Sequence, residues 1–143
     1  MKGKQKMKNR FRFRAWDKKN KRMLYNIENA YDFGGVEDEK GNDVEDCYAD
    51  CFNYFLPYDD ENENDKFIVE QCTGLRDKKG RLIYEGDIVK VAQISANLPV
   101  VYDQKFAMFE LISNIYLVSL HGSDDIFEVI GNIHENPELM EVK

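Results

Sequence analysis

Long apolar runs are missing from this chain. Its purely apolar stretches are a few residues each, such as Ile115 to Val118, against the roughly 20 consecutive residues that a membrane-crossing helix needs. No apolar stretch follows the basic N-terminus as it would in a signal peptide. Cysteine is scarce and odd in number, with Cys47, Cys51 and Cys72 alone, which argues against a secreted disulfide framework and agrees with a reducing compartment. Proline is sparser still, at 3 residues, and glycine numbers 9. These absences lead to the expectation of a soluble, intracellular protein with no membrane association. What is present is aromatic: 43% of the 143 residues are apolar and 13% are Phe, Trp or Tyr, a composition for a globular chain rather than a disordered one. A domain of this length buries about two thirds of its unfolded surface without metals or disulfides.

Charge is unevenly spread. The first fourteen residues carry Lys2, Lys4, Lys6, Lys8, Arg10, Arg12 and Arg14 with no acid, and the remaining 13 bases face 27 acids. Within Glu37 to Asp65 a single base, Lys40, opposes twelve Asp and Glu. A basic arm can neutralise phosphates. Lys2 through Arg14 with Trp16 are therefore the candidate contacts to nucleic acid or to another partner, and an acidic body that repels a duplex weighs against the former. Solvated loops are the ordinary use of acid-rich blocks.

Residues 1–10 lack apolar periodicity and read as a disordered arm before a single domain over 11–143, with an N-terminal half to residue 66 and a barrel-like half from 67. "FRFRAW" alternates with period two, placing Phe11, Phe13 and Ala15 on one face and Arg12, Arg14 and Trp16 on the other, as in a strand; Arg14 beside Trp16 suits a cation–π stack. "DKKNKRMLY" then reads as a hairpin, with Asn20 suited to a positive φ. Val44, Cys47, Tyr48, Cys51, Phe52 and Phe55 follow at helical spacing, and the stripe predicts an amphipathic helix over 44–56, ended by Pro57. "YDDENENDK" is an exposed loop. "FIVEQCTGL" leads into a second hairpin, "DKKGRLIY", where Gly80 takes the left-handed position, and "EGD" reverses the chain before a strand at Ile88 to Val91. Further short strands end in "ENPELM", where Asn136 and Pro137 read as an N-cap and first helical residue. Many short strands closed by turns mark a mainly β (α+β) domain of small-barrel type, built from antiparallel strands and hairpins with one or two short helices.

"FRFRAWDKKNKRMLY", "TGLRDKKGRLIYEGDIVKV" and "FEVIGNIHENPEL", in this order, resemble the YopX family of bacteriophage and prophage proteins. The blocks cover about a third of the chain and lie near its two ends and its middle. His134 stands where that pattern has tyrosine, and the acidic segment at 37–65 matches no part of it. The resemblance implies a small, mostly β phage protein with an SH3-like barrel. It implies no known activity and so assigns no catalytic residue. The motif residues Asp17, Gly74, Asp77, Gly80, Tyr84, Gly86, Asp87, Gly131, Asn132, Asn136 and Pro137 read as structural, because Gly, Asp and Asn in this pattern shape corners.

Three functional classes stay open at this level. The preferred one is a non-enzymatic binding module acting on a host or phage protein, with the acidic segment as a contact surface or an imitation of DNA. The second is a nucleic-acid binder using the arm and stacking aromatics such as Trp16 or Tyr25. The third is a metal-dependent enzyme, for which Asp124 with Asp125, or the cysteines with His121 or His134, would have to supply ligands; no Walker loop, nucleophile elbow or HExxH signature accompanies them. Neither cofactor nor metal is expected. Self-association through edge strands is compatible with all three.

Overall fold

The computed structural model describes residues 9–31, 34–47, 49–56, 66–121 and 124–140. The arm at residues 2–8 and most of the acidic loop, residues 57–65, lie outside the described residues. The chain divides into two compact units, Phe11–Gln71 and Met1–Arg10 with Cys72–Lys143.

In the Phe11–Gln71 unit, strand β1 (Phe13–Asp17) lies between β2 (Arg22–Tyr25) and the first part of β3 (Phe67–Arg76), all antiparallel. The expected strand from Phe11 starts at Phe13, because Asn9–Phe11 turns as a 3-10 helix. Ala15 points into a core with Leu24, Ile27, Ala30, Val36, Cys47, Ala49 and Phe55, against which Phe13, Val44, Phe52, Phe67 and Val69 pack. Aromatic rings close this core: the Phe13 and Phe52 centroids are 5.0 Å apart, and those of Phe55 and Phe67 4.9 Å. Such pairs add about 0.5–1.5 kcal/mol each beyond area burial.

No α-helix forms over 44–56 among the described residues. The stripe read as a helix is a series of turns ending in a 3-10 helix, Phe52–Phe55, and Cys51 before it is fully extended at φ −162° and ψ 173°. Two causes act together. Asp46, Asp50, Cys51 and the aromatics are poor helix formers, and the extended backbone at Cys51 breaks a continuous helical run before Phe52. The burial expected of the stripe survives at Cys47 and Phe55, while Cys51 is exposed.

The second unit contains the remainder of β3, which pairs with β4 (Leu82–Tyr84) across a bulge between Cys72 and Arg76. Gly74 sits in that bulge at φ +85°, where an added Cβ would come within 3.2 Å of the Arg10 side chain. Then follow β5 (Asp87–Val91), β6 (Ala96–Asp103), β7 (Met108–Ile112), β8 (Leu117–Ser119) and β9 (Phe127–Asn132), an antiparallel sheet in the order β8-β7-β6-β5-β9. Its core is Ile83, Val89, Val91, Leu98, Val100, Leu111, Phe127 and Val129, with smaller neighbours. The architecture is mainly β, two antiparallel sheets, and the helical pieces among the described residues are single 3-10 turns.

The two DKK stretches use one device. Asp17 and Asp77 are both buried at the first position of the turn. The Asp17 carboxylate accepts from the Asn20 backbone amide at 3.2 Å and the Asn20 side-chain amide at 2.8 Å. Asp77 Oδ1 accepts from the Lys79 and Arg81 amides at 3.0 and 2.9 Å. The left-handed residue of the first turn is Lys21, at φ +55°, and not Asn20, which is engaged by Asp17; Gly80 fills the same role in the second turn at φ +84°. Nothing lies within 4 Å of a Cβ added at Gly80, so substitution there costs backbone strain alone. Lys21→Gly should raise stability by up to about 1 kcal/mol and Gly80→Val lower it by about 1–2 kcal/mol, with urea denaturation as the measurement.

Candidate functional site

Arg10 and Arg12 of the basic arm are exposed. Arg14 and Trp16 are buried, at 1% and 8% exposure, on β1 between β2 and β3. Arg14, 1% exposed, places Nε 3.0 Å from Glu70 Oε1, itself on a side chain 4% exposed. Its guanidinium lies over the ring of Tyr25, 6.0 Å from the centroid, in register across the β1–β2 pair. A cation–π contact of Arg14 is thus made across the β1–β2 pair.

The motif residues hold corners. Gly86, at φ +87°, donates to the Val100 carbonyl and accepts from the Ile133 amide, each at 2.9 Å. Buried Asp87 accepts from the Tyr84 amide at 2.8 Å. Asn132 Oδ1 accepts from the amides of His134 and Glu135 at 3.0 and 2.9 Å. The Asn136 side chain does not cap the following 3-10 helix, Pro137–Met140; it turns back to accept from the Asn132 amide at 3.3 Å. Gly131 makes room for it, since a Cβ there would lie 2.5 Å from Asn136 Oδ1.

Cys47 and Cys72 are buried, and burial pushes the Cys47 thiol above its usual pKa. Among the described residues no three His, Cys, Asp or Glu side chains are placed to hold a metal ion.

A site that sequence reasoning missed opens beside β2. Arg22, Met23 and Leu24 form one wall of a cleft of about 540 Å³, and Asp38, Asp43, Val44, Glu45 and Asp46 form the other. The acidic wall is shaped by a turn in which Asp38 Oδ1 accepts from the Lys40 and Asn42 amides at 2.9 Å each. That hydrogen bonding, the Asn42 amide foremost, holds the Asp38 carboxyl below the ordinary carboxylate range. The cation of the cleft is already engaged, with Arg22 Nε 3.2 Å from Asp17 Oδ2 and Nη1 2.9 Å from Asp46 Oδ1. Burial would raise the Asp17 pKa, but its bonds from Asn20 and then Arg22 outweigh it and keep the group ionised. Asp43, Glu45 and Asp46 are exposed. The cleft therefore presents negative charge beside half-buried Val44, while Met23 and Leu24 of β2 are buried behind it. The acid density at 37–65 was visible in the sequence; the placement of Asp38, Asp43, Glu45 and Asp46 beside β2 was not.

Glu110, on β7, was also unmarked. It is buried, at 5% exposure, and its Oε2 has no hydrogen-bond partner. Burial, and then the neighbouring Asp103 carboxylate, raise its pKa.

Fold and site together define a mainly β domain of antiparallel sheets with an acidic cleft. The family model described as YopX protein matches residues 12–141. The chain belongs to that family. It is similar to the crystal structure of protein EF1440 from Enterococcus faecalis, at 28% identity over 91% of this chain and 97% of that one, with a TM-score of 0.58. It also resembles the X-ray structure of yopX from Bacillus subtilis at 21% identity, 92% and 99% coverage and a TM-score of 0.51, a likeness of fold. No curated protein matches the chain.

Two results are expected. Arg14→Met should cost about 3–5 kcal/mol, because it strands the buried Glu70 charge, and the double variant with Glu70→Leu should recover much of that loss; chemical denaturation of the three proteins checks it. Glu110, with its folded pKa raised, supports the fold best below its unfolded pKa, and that support fades as pH rises through the folded value. Glu110→Gln should therefore raise the thermal midpoint at pH 7 and leave it nearly unchanged at pH 4.

Proposed function

We propose that this chain is a non-enzymatic binding module whose cleft beside β2 receives a basic, partly apolar segment of another protein. The single observation that carries the reading is the gathering of Asp38, Asp43, Glu45 and Asp46 around half-buried Val44, while Arg22 is neutralised by Asp17 and Asp46. Opposite charge steers encounter and selects partners, and contact with Val44 adds apolar area. The biological setting we favour is a phage or prophage accessory protein acting in the bacterial cytoplasm on a host or phage protein. Two facts support it: the two solved proteins named above come from Enterococcus faecalis and Bacillus subtilis, and no helix among the described residues is long and apolar enough to cross a membrane. We read the second unit as an SH3-like barrel, because β5 to β8 form a meander and a 3-10 turn, Asp124–Ile126, returns β9 to the side of β5.

A nucleic-acid role has narrower support, since Arg10 and Arg12 are exposed but Arg14 and Trp16 are interior. Fluorescence anisotropy separates the two readings. A labelled peptide of alternating Arg and Leu should bind, weaken as salt rises, and lose affinity by about tenfold or more on Asp43→Lys with Glu45→Lys, while labelled single-stranded and duplex DNA bind more weakly. Equal peptide binding by the charge-reversed variant, or tight DNA binding abolished by deleting residues 1–10, would sink the proposal.

A further inference from the structure

The sheet β8-β7-β6-β5-β9 has two outer strands, and they are finished differently. The outer side of β9 is taken. The Phe127 carbonyl accepts from the Lys78 amide at 3.0 Å, and the Val129 amide donates to Asp77 Oδ2 at 2.9 Å. Lys78 and Lys79 both reach Glu128, at 3.1 and 3.3 Å. The second DKK turn thus covers this edge and hangs charge on it, two of the ordinary protections against pairing with another chain.

Strand β8 has neither. The Ser113 amide bonds to the Tyr116 carbonyl at 2.9 Å, so Ser113 and Tyr116 close the β7–β8 hairpin as a hydrogen-bonded pair. In antiparallel strands such pairs alternate with non-bonded ones. Ile112 with Leu117 and Glu110 with Ser119 are therefore the non-bonded pairs of this register, and the amides and carbonyls of Leu117 and Ser119 face outward. No hydrogen bond to them is present among the described residues. The Leu117 side chain is 69% exposed and Ile115, in the hairpin turn, 72%. The edge bears no Lys, no Pro and no bulge. It lies within Leu111 to Ser123, thirteen residues without Asp, Glu, Lys or Arg and the longest such run in a chain that is 33% charged.

The geometry points to a second copy of this chain as the occupant of that edge, joined β8 to β8 about a two-fold axis at Val118. Antiparallel pairing of Leu117 with Ser119 of the second copy, and of Ser119 with its Leu117, matches every outward donor to an outward acceptor, and shifting the register by one residue breaks this match. The two Leu117 side chains then sit diagonally across the junction on one face, within reach of each other, beside Ile112, the non-bonded neighbour of Leu117. Charge selects the occupant. A charged peptide finds no counter-charge here, whereas two copies of net charge −7 can approach along this uncharged segment without opposing acids. Because β9 is covered, the head-to-tail alternative of β8 on β9 is closed, so the assembly ends at a dimer rather than growing as a ring or fibre. This inference concerns the second unit and does not depend on the acidic cleft.

The test is mass by light scattering on the full chain over a dilution series, combined with residue-resolved amide exchange. With rising concentration the mass should approach twice that of one chain, and exchange at Leu117 and Ser119 should slow by about tenfold or more. Leu117→Lys with Ser119→Lys, two exposed positions, should stay monomeric with an unchanged melting temperature in dilute solution. The inference is overturned if the wild type stays monomeric throughout, if a dimer forms while those two amides exchange as fast as in the monomer, or if the lysine variant dimerises equally. Should the variant unfold, the wild-type exchange data alone decide.

Discussion

Much of the second unit depends on one carboxylate. Asp77 sends Oδ1 to the amides of Lys79 and Arg81 within its own turn and Oδ2 to the amide of Val129, 52 residues away. A buried carboxylate is costly unless such donors surround it, and here they come from two separate segments. The same group therefore shapes the β3–β4 hairpin, holds it against β9, and finishes an edge that would otherwise pair with other chains. Closing that edge leaves β8 as the outer strand of the sheet with open backbone groups.

Asp17 plays the equivalent part in the first unit with a different outcome. Its second oxygen accepts from a side chain, Arg22, which passes the link on to Asp46. The chain Asp17–Arg22–Asp46 ties the first hairpin to the acidic segment and shapes the mouth of the cleft. One short sequence device thus yields a covered edge in one unit and a lined cleft in the other, according to what the free carboxylate oxygen meets.

The hairpins, the positive-φ glycines at 80 and 86 and the mainly β class were legible because each depends on residues adjacent in sequence. The family was legible from three blocks whose Asp, Gly and Asn residues form corners. The helix over 44–56 was misread because period-3.6 burial can be met by turns and a 3-10 helix when propensity is poor and the backbone is extended at Cys51. Arg14 and Trp16 looked available because alternation specifies faces without saying whether both are covered. Glu110 escaped notice for the same reason: on an alternating strand it occupies the polar position, and its burial comes from neighbours on other strands.

By itself the sequence determined the local geometry of this protein: where the backbone turns, which residues cap those turns, and which strands alternate. Those features follow from φ preferences, short side-chain hydrogen bonds and the two-residue pleat, all of which act within a few residues. Tertiary structure decided the partners: Glu70 for Arg14, Val129 for Asp77, Asp46 for Arg22, and which edge is covered. These pairings join segments from 24 to 56 residues apart, and only the packing of whole strands sets which distant groups must satisfy one another away from water.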